Sequence, residues 1–327
     1  MTKVALIGLG TMGPGIAAVL ARAGMAVAAF DLSPEQRARA PQSIKTATGV
    51  LATLGMADRA ASEVAIHAEL AAAVTGSDLV IENVPEKLEL KTRVLGEIDK
   101  LVDRACVIAS DTSGIPITKL QAGNSAPGRV IGMHWSNPPH IIPIIEVVAG
   151  QETAAATVAW MTAFVKGLGL IPIRVKKDVP GFVENRVLYA VMRECCDLVE
   201  QGVIDPEGLD ACVSWGIGYK LSVVGPMALL DMAGLDIYQS VGSYLNKELC
   251  ARGDVSPFVT ERTAAGKLGI KSGGGIFSYS PEKITELQSQ RARRLVAVRK
   301  ALEGQSPDRG SAARQPKKRT TGDPCRN

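Results

Sequence analysis

A glycine-spaced turn, set between an apolar run and a small-residue stretch, limits this chain more than any other feature. Residues 4–7 are continuously apolar and long enough for a buried strand. The run breaks at Gly8-x-Gly10-x-x-Gly13, and residues 16–23 then follow a helical period. Strand, glycine turn and helix in this order are the context in which G-x-G-x-x-G reads as a dinucleotide fingerprint. Gly8 permits the tight turn, Gly10 lets backbone approach a pyrophosphate, and Gly13 lets the helix pack close to the strand. Thr11 and Met12 lie in the same turn, beside the N–H groups that a helix N-terminus offers to phosphate. A second strand, residues 26–30, ends at Asp31, about 20 residues after the glycines. A carboxylate there accepts hydrogen bonds from ribose hydroxyls and repels a 2′-phosphate, so the expected cofactor is NAD rather than NADP.

Composition sets the frame. The 327 residues are 46% hydrophobic and 21% charged, which describes a globular chain with a sizeable core. The net charge of +4 is carried by residues 305–327, which hold six Lys/Arg against two Asp. That stretch is rich in Gly, Pro, Ser and Thr and reads as a disordered basic tail, so no nucleic-acid partner is expected. The N-terminus enters a core strand directly, without a secretory pattern, and no run of about 18 uncharged apolar residues suggests a membrane span. The six cysteines (106, 195, 196, 212, 250 and 325) have neither CxxC nor metal spacing, so thiols in a reducing cytoplasm are expected.

Strand-like and helix-like segments alternate as far as residue 178. Strands are expected at 63–67, 79–82, 106–109, 130–133, 144–148 and 171–175, and helices at 34–54, 70–75, 87–102 and 153–168. This predicts an α/β first domain, residues 1–178, with a Rossmann-type, doubly wound, mostly parallel sheet. Four polar clusters fall at strand ends: Gly8, Glu82 to Glu86, Ser110 to Ser113, and His134 to Asn137. Ligands of such sheets bind at the carboxyl ends of the strands. From Lys177-Asp178-Val179-Pro180-Gly181 onward the pattern is helical, at 182–201, 206–215, 227–245 and 257–265. A glycine-rich loop at 266–279 and a basic helix at 284–303 follow. Residues 179–303 therefore read as an all-α substrate and dimerisation domain, and residues 304–327 as the tail. The helical segments hold more apolar surface than one small domain can bury, which predicts a homodimer.

The chain has three histidines, and His134 sits at a strand end twelve residues before Glu146. Pro138, Pro139 and Pro143 turn the intervening segment back, so the two strands can lie side by side. Imidazole takes a proton from a hydroxyl near neutral pH, and a buried carboxylate fixes its tautomer. The position alone reads equally well as a core histidine. Ser113 and Asn137 could bind a substrate oxygen or the nicotinamide, or could serve as turn residues. Asn185 stands one turn into the second domain's first helix, where it could close over the cleft. His134 and His140 lack a third ligand of recognisable spacing, so no metal is expected.

Taken together, Gly8 to Gly13, Asp78 to Glu86, Ala109 to Ser113, His134 to Asn137, Glu146-Val147-Val148, Asp178 to Arg186, Gly225 to Asp236 and Lys271 to Tyr279 resemble the 3-hydroxyacyl-CoA dehydrogenase superfamily. The resemblance covers residues 3–303. It implies an NAD-dependent dehydrogenase in which His134 is the base and Glu146 its orienting carboxylate. It implies that Ser113 and Asn185 contact the reacting end of the substrate. It further implies that Glu86, Lys91, Ser113, Asn137 and Lys271 line the NAD site with Asp31. The chain departs from acyl-CoA-acting members at His134-Trp135-Ser136-Asn137-Pro138-Pro139-His140 and at Asp111-Thr112-Ser113-Gly114. The stretch after Asp31 is short and holds a single lysine, Lys45, where those members carry clustered lysines for the CoA phosphates. These segments look most like the branch that oxidises a pyridine-ring aldehyde in vitamin B6 breakdown, with Trp135, His140 and Tyr219 expected around the ring. The alternatives are an L-3-hydroxyacyl-CoA dehydrogenase and a non-catalytic NAD-binding protein on the same scaffold.

Overall fold

In the computed structural model, which describes residues 1–56 and 63–304, fourteen elements alternate through the first half of the chain. They are β1 (Lys3–Ile7), α1 (Gly13–Arg22), β2 (Ala26–Phe30), α2 (Pro34–Thr53), β3 (Ala65–His67), α3 (Leu70–Val74) and β4 (Leu79–Glu82). They continue with α4 (Leu88–Leu101), β5 (Val107–Ser110), α5 (Ile117–Leu120), β6 (Val130–Trp135), β7 (Ile144–Ala149), α6 (Ala155–Gly167) and β8 (Ile171–Val175). The eight strands form one sheet in the order β3-β2-β1-β4-β5-β6-β7-β8. All neighbours are parallel except β6 and β7. The link between those two is too short for a crossover helix, so the chain can only return antiparallel.

Alternation along the strands fills both faces of the sheet. Val4 and Leu6 join the layer under α1, α2 and α6, whereas Ala5 and Ile7 join the layer under α3, α4 and α5. Each Leu or Ile fully buried in these layers contributes about 1.5–3 kcal/mol through its removal from water. The strand order reverses between β1 and β4, and this is where an open α/β sheet leaves a crevice at its carboxyl edge.

The second half is helical: α7 (Glu184–Glu200), α8 (Pro206–Cys212), a π-helical stretch (Val213–Gly218), α9 (Tyr219–Leu221), α10 (Pro226–Ala233), α11 (Leu235–Glu248), α12 (Pro257–Ala264) and α13 (Pro281–Gly304). Two expectations need correction. The helix expected over 227–245 is broken at Gly234, whose φ of +99° ends α10 and starts α11. The strand expected to stop at residue 133 runs to Trp135, which places His134 inside the β6–β7 ladder. None of α7, α8, α10 and α11 contains a buried residue. No single described helix is long and apolar enough to cross a membrane. The expected tail and Cys325 fall outside the described residues.

Candidate active site

The glycine turn is built so that only glycine fits at two of its three positions. Gly8 has a φ of +112°, and a Cβ there would stand 2.4 Å from the Asn83 carbonyl oxygen. A Cβ on Gly13 would stand 2.2 Å from the Gly8 carbonyl oxygen, so the close approach of α1 to β1 depends on it. A Cβ on Gly10 would meet no atom within 4 Å, and Gly10 and Thr11 are exposed while Met12 is half-buried. Met12, the residue before α1, supplies no side-chain cap. At the end of β2, the Asp31 carboxylate accepts the Leu9 N–H at 2.7 Å and the Ser33 N–H at 2.8 Å. An open cradle at a helix N-terminus, with a fixed carboxylate beside it, fits a dinucleotide. Asn83 ties this turn to the next strand ends: its amide oxygen accepts the Gly13 N–H and its amide nitrogen donates to Asp111 Oδ2, both at 3.1 Å.

The loop after β4 is held from below by buried charge. Lys91 is buried and donates to Glu82 at 2.8 Å and to the Val84 carbonyl at 3.0 Å, with Glu86 at 3.5 Å. Its ammonium group faces these partners rather than the open crevice. Glu86 Oε1 accepts from the Thr112 hydroxyl at 2.7 Å and from the Ser113 and Gly114 N–H groups at 3.0 Å each. Burial alone would raise the Glu86 carboxyl, but these donors and the Lys91 charge outweigh it and hold its pKa below the usual carboxylate value. Glu86 thereby fixes the loop that carries Ser113.

His134 and Glu146 are direct cross-strand partners on β6 and β7. His134 Nδ1 lies 2.8 Å from Glu146 Oε2, so Nε2 takes no part in this hydrogen bond. The other Glu146 oxygen accepts the N–H groups of Val183 and Glu184, at 3.0 and 3.1 Å, and so caps α7. Burial acts to lower the His134 pKa, but the Glu146 hydrogen bond and the charges of Asp111, Glu146 and Glu184 raise it above the usual imidazole value. Burial acts to raise Glu146, and its hydrogen bonds to His134 and the two N–H groups bring it below the usual value. The two shifts agree: the pair stabilises its charged form. Phe182 packs its ring 5.9 Å from the imidazole, centroid to centroid, and holds a φ of +48° to do so. A non-glycine residue there costs about 1–2 kcal/mol, maintained by a ring only 1% exposed.

The first turn of α7 is fastened to the sheet edge at two more points. Asn185 Nδ2 donates to the Ser113 carbonyl at 2.6 Å, and the Ser136 hydroxyl donates to Glu184 Oε1 at 2.6 Å. Ser113, His134, Glu146 and Asn185 are thus brought together from four elements. A cavity of about 940 Å³ adjoins them; Ser113, Asn185, Arg186, Tyr189, Arg193 and Arg252 are in its wall, and His134 is not.

Other expected residues lie elsewhere. Trp135 is 2% exposed and packs in the core layer under α1, and no described residue bonds its indole N–H. His140 packs its Nδ1 against Gly15 of α1, and burial pushes its pKa down, favouring a neutral ring. Asn137 is exposed, with its carbonyl accepting from Arg291 at 3.1 Å. Tyr219 is 65% exposed and stacks near Trp215 on the helical arm, 6.5 Å between centroids. Lys271 is exposed in the glycine-rich loop. Sequence reasoning missed Asn83, Asp111, Phe182 and Glu184 as individuals. All four occur inside stretches it had singled out, but side-chain partners cannot be read from such stretches. His134, Glu146 and Glu184 bring donor atoms within 4.8 Å of one another. The set could ligate a metal, but the dyad hydrogen bond and the α7 cap already occupy Nδ1 and both Glu146 oxygens.

Residues 3–179 match the 3-hydroxyacyl-CoA dehydrogenase NAD-binding domain, and residues 181–279 match the C-terminal domain of the same family. The chain is 60% identical over 304 residues to the 5-formyl-3-hydroxy-2-methylpyridine 4-carboxylate 5-dehydrogenase of Mesorhizobium japonicum, covering 92% of this chain and 98% of that one. The crystal structure of a dehydrogenase of that name, an NAD+-dependent dismutase, superposes with a TM-score of 0.91 at 59% identity, covering 94% of this chain and 100% of that one. The (S)-3-hydroxybutyryl-CoA dehydrogenase of Ralstonia eutropha superposes with a TM-score of 0.69 at 33% identity, covering 86% and 99%.

Proposed function

This chain belongs to the 3-hydroxyacyl-CoA dehydrogenase family and is an NAD-dependent dehydrogenase, and on that premise we propose that it oxidises 5-formyl-3-hydroxy-2-methylpyridine 4-carboxylate to the dicarboxylate. One observation carries the reading: 60% identity along 98% of a relative with that activity. The stretch after Asp31 supports it, because one lysine, Lys45, is a poor match for the phosphates of CoA. Arg186 and Arg193 in the cavity wall suit a carboxylated ring instead.

In this mechanism the glycine turn and Asp31 would hold NAD, which would supply the hydride acceptor. His134 Nε2 takes the proton of a hydroxyl on the hydrated aldehyde, and Glu146 keeps Nδ1 protonated and stabilises the imidazolium. Asn185 and Glu86 keep the Ser113 loop in place, so that the Ser113 hydroxyl can orient the substrate oxygen. The division into residues 1–178 and 179–303 is part of this proposal, supported by the last strand ending at Val175. So is a homodimer: Trp215, Tyr219, Met227, Met232 and Leu235 are each more than half exposed on helices that bury nothing within one chain. The five described cysteines are free thiols, which supports a reducing cytoplasm.

The test is NADH formation by the purified protein with this ring aldehyde, against NADH consumption with acetoacetyl-CoA. Turnover of the first and none of the second is expected. The reverse preference overturns the substrate, and tight NAD binding without turnover of either overturns the enzyme. Sedimentation at the mass of one chain would remove the dimer.

A further inference from the structure

Oxidation of an aldehyde to an acid consumes a water molecule that oxidation of an alcohol does not. The residues assigned so far provide one base, His134, for a reaction that must both add water and remove a hydroxyl proton. We propose that Glu184 binds and activates that water, so that the site carries two proton acceptors with separate tasks. This rests on the proposed aldehyde substrate.

Glu184 is the first residue of α7, and its backbone N–H donates to Glu146 Oε1 of the dyad at 3.1 Å. Its Oε1 is occupied by the Ser136 hydroxyl at 2.6 Å, which fixes the side chain. Its Oε2 is buried and has no hydrogen-bond partner among the described residues. A buried carboxylate oxygen without a donor costs free energy, and native sites fill such positions with water or ligand. One carboxylate oxygen of Glu184 lies within 4.8 Å of both a His134 ring nitrogen and a Glu146 oxygen, so the carboxylate borders the dyad at which the aldehyde would react. Glu146 cannot take the role. Its oxygens accept from His134, Val183 and Glu184. Ser113 cannot either, because its hydroxyl offers no strong base, while Glu86 is committed to the Ser113 loop.

The steps balance as follows. Glu184 takes a proton from water as the water oxygen bonds the aldehyde carbon, and the former carbonyl oxygen takes that proton back, giving the gem-diol. His134 then takes a proton from one hydroxyl of the diol, and the C–H electron pair leaves as hydride to the oxidised cofactor. The carbon is oxidised to the carboxylic acid and NAD+ is reduced. One proton leaves the imidazolium and one leaves the new acid, so aldehyde, water and NAD+ yield carboxylate, NADH and two protons.

Reduction of the same aldehyde by NADH takes up one proton and no water, so it bypasses Glu184. Glu184→Gln keeps size and the Ser136 contact but removes the base. Its kcat for NAD+-dependent oxidation of the ring aldehyde is expected to fall about 100-fold, the usual scale for a lost proton acceptor. Measured on the acid plateau, where His134 stays protonated without the Glu184 charge, its kcat for NADH-dependent reduction should stay within about threefold of the parent, and this arm reports folding and cofactor binding in the same preparation. Addition of formate to Glu184→Ala should restore part of the oxidation and leave reduction unchanged. Equal losses in both directions would make Glu184 only an anchor of α7 and overturn the proposal, and so would a variant that oxidises as fast as the parent. A parent protein that oxidises no ring aldehyde would overturn the substrate assignment together with this inference, whereas an active parent with an unaffected variant overturns this inference alone.

Discussion

His134 and Glu146 face each other across the one antiparallel seam of an otherwise parallel sheet, with Nδ1 2.8 Å from Oε2. The same carboxylate caps α7, the first helix of the helical half, through the N–H groups of Val183 and Glu184. One side chain therefore serves both the orientation of the imidazole and the fastening of α7 to the sheet edge. A change at Glu146 should act on both.

The first expectation separates the members of this dyad. His134→Leu should lower kcat at least about 100-fold and leave NAD affinity intact, because the glycine turn and Asp31 are untouched. Glu146→Gln should lower kcat as well and also lower the melting temperature, since a neutral amide caps α7 less well. Steady-state kinetics, NAD titration and a melting curve on both variants check this. Near-normal turnover in His134→Leu would remove it from the mechanism.

The second concerns pH. A base must be unprotonated to act, and the surroundings raise His134 above the ordinary imidazole value of about 6.5. Oxidation should therefore rise with pH through an apparent pKa above that value, while reduction by NADH should fall through the same range. In Glu146→Gln the midpoint should move down, because a hydrogen bond and a negative charge that favoured the imidazolium are lost. A midpoint unchanged in the variant would show that another group governs the profile.

The third concerns Asp111, which bonds the Trp135 N–H at 2.8 Å. Burial pushes its carboxyl up to about 7 from an ordinary 3.8, against the opposing effects of the Trp135 N–H, His134 and Lys91. The folded state thus holds a proton that the unfolded chain has released, so this group's contribution to stability falls as pH rises from about 4 to about 7. Asp111→Asn should flatten that loss, and its melting temperature relative to the parent should be higher at pH 8 than at pH 5. A constant difference between the two conditions would contradict the raised value.

The fourth concerns Gly13, where a Cβ would stand 2.2 Å from backbone oxygen. No flexible side chain can give way there, so Gly13→Ala must push α1 away from β1. NAD binding should be lost, and the melting temperature should fall. Gly10→Ala, which meets nothing within 4 Å, should leave stability nearly unchanged and weaken only cofactor binding. Calorimetric titration and melting curves distinguish the two variants.

Much of this was legible in the sequence because it follows from local rules. Apolar runs gave the strands, glycine spacing gave the turn, and proline-rich return from His134 to Glu146 gave their adjacency. The break at Gly234 was not legible, because glycine in an apolar helical run signals a stop only when its φ is known to be positive. Lys91 was expected beside a cofactor, but a lysine that pairs with buried carboxylates has the same sequence signal as one that faces an open crevice. Trp135 and Tyr219 were grouped as ring-pocket residues, yet one packs in the core and the other stands on the outlying arm. Aromatic identity alone does not tell which face a strand or helix presents.

The sequence by itself determined the cofactor class and the doubly wound sheet, because glycine geometry and apolar period act within a few residues. Only the tertiary structure decided which carboxylates face His134. Glu146 arrives across a strand pair, Asp111 from the end of β5, and Glu184 from the first turn of α7. Charges and hydrogen bonds act through distances in space, and those distances exist only once the two halves of the chain are joined above the sheet edge that begins at the Gly8 turn.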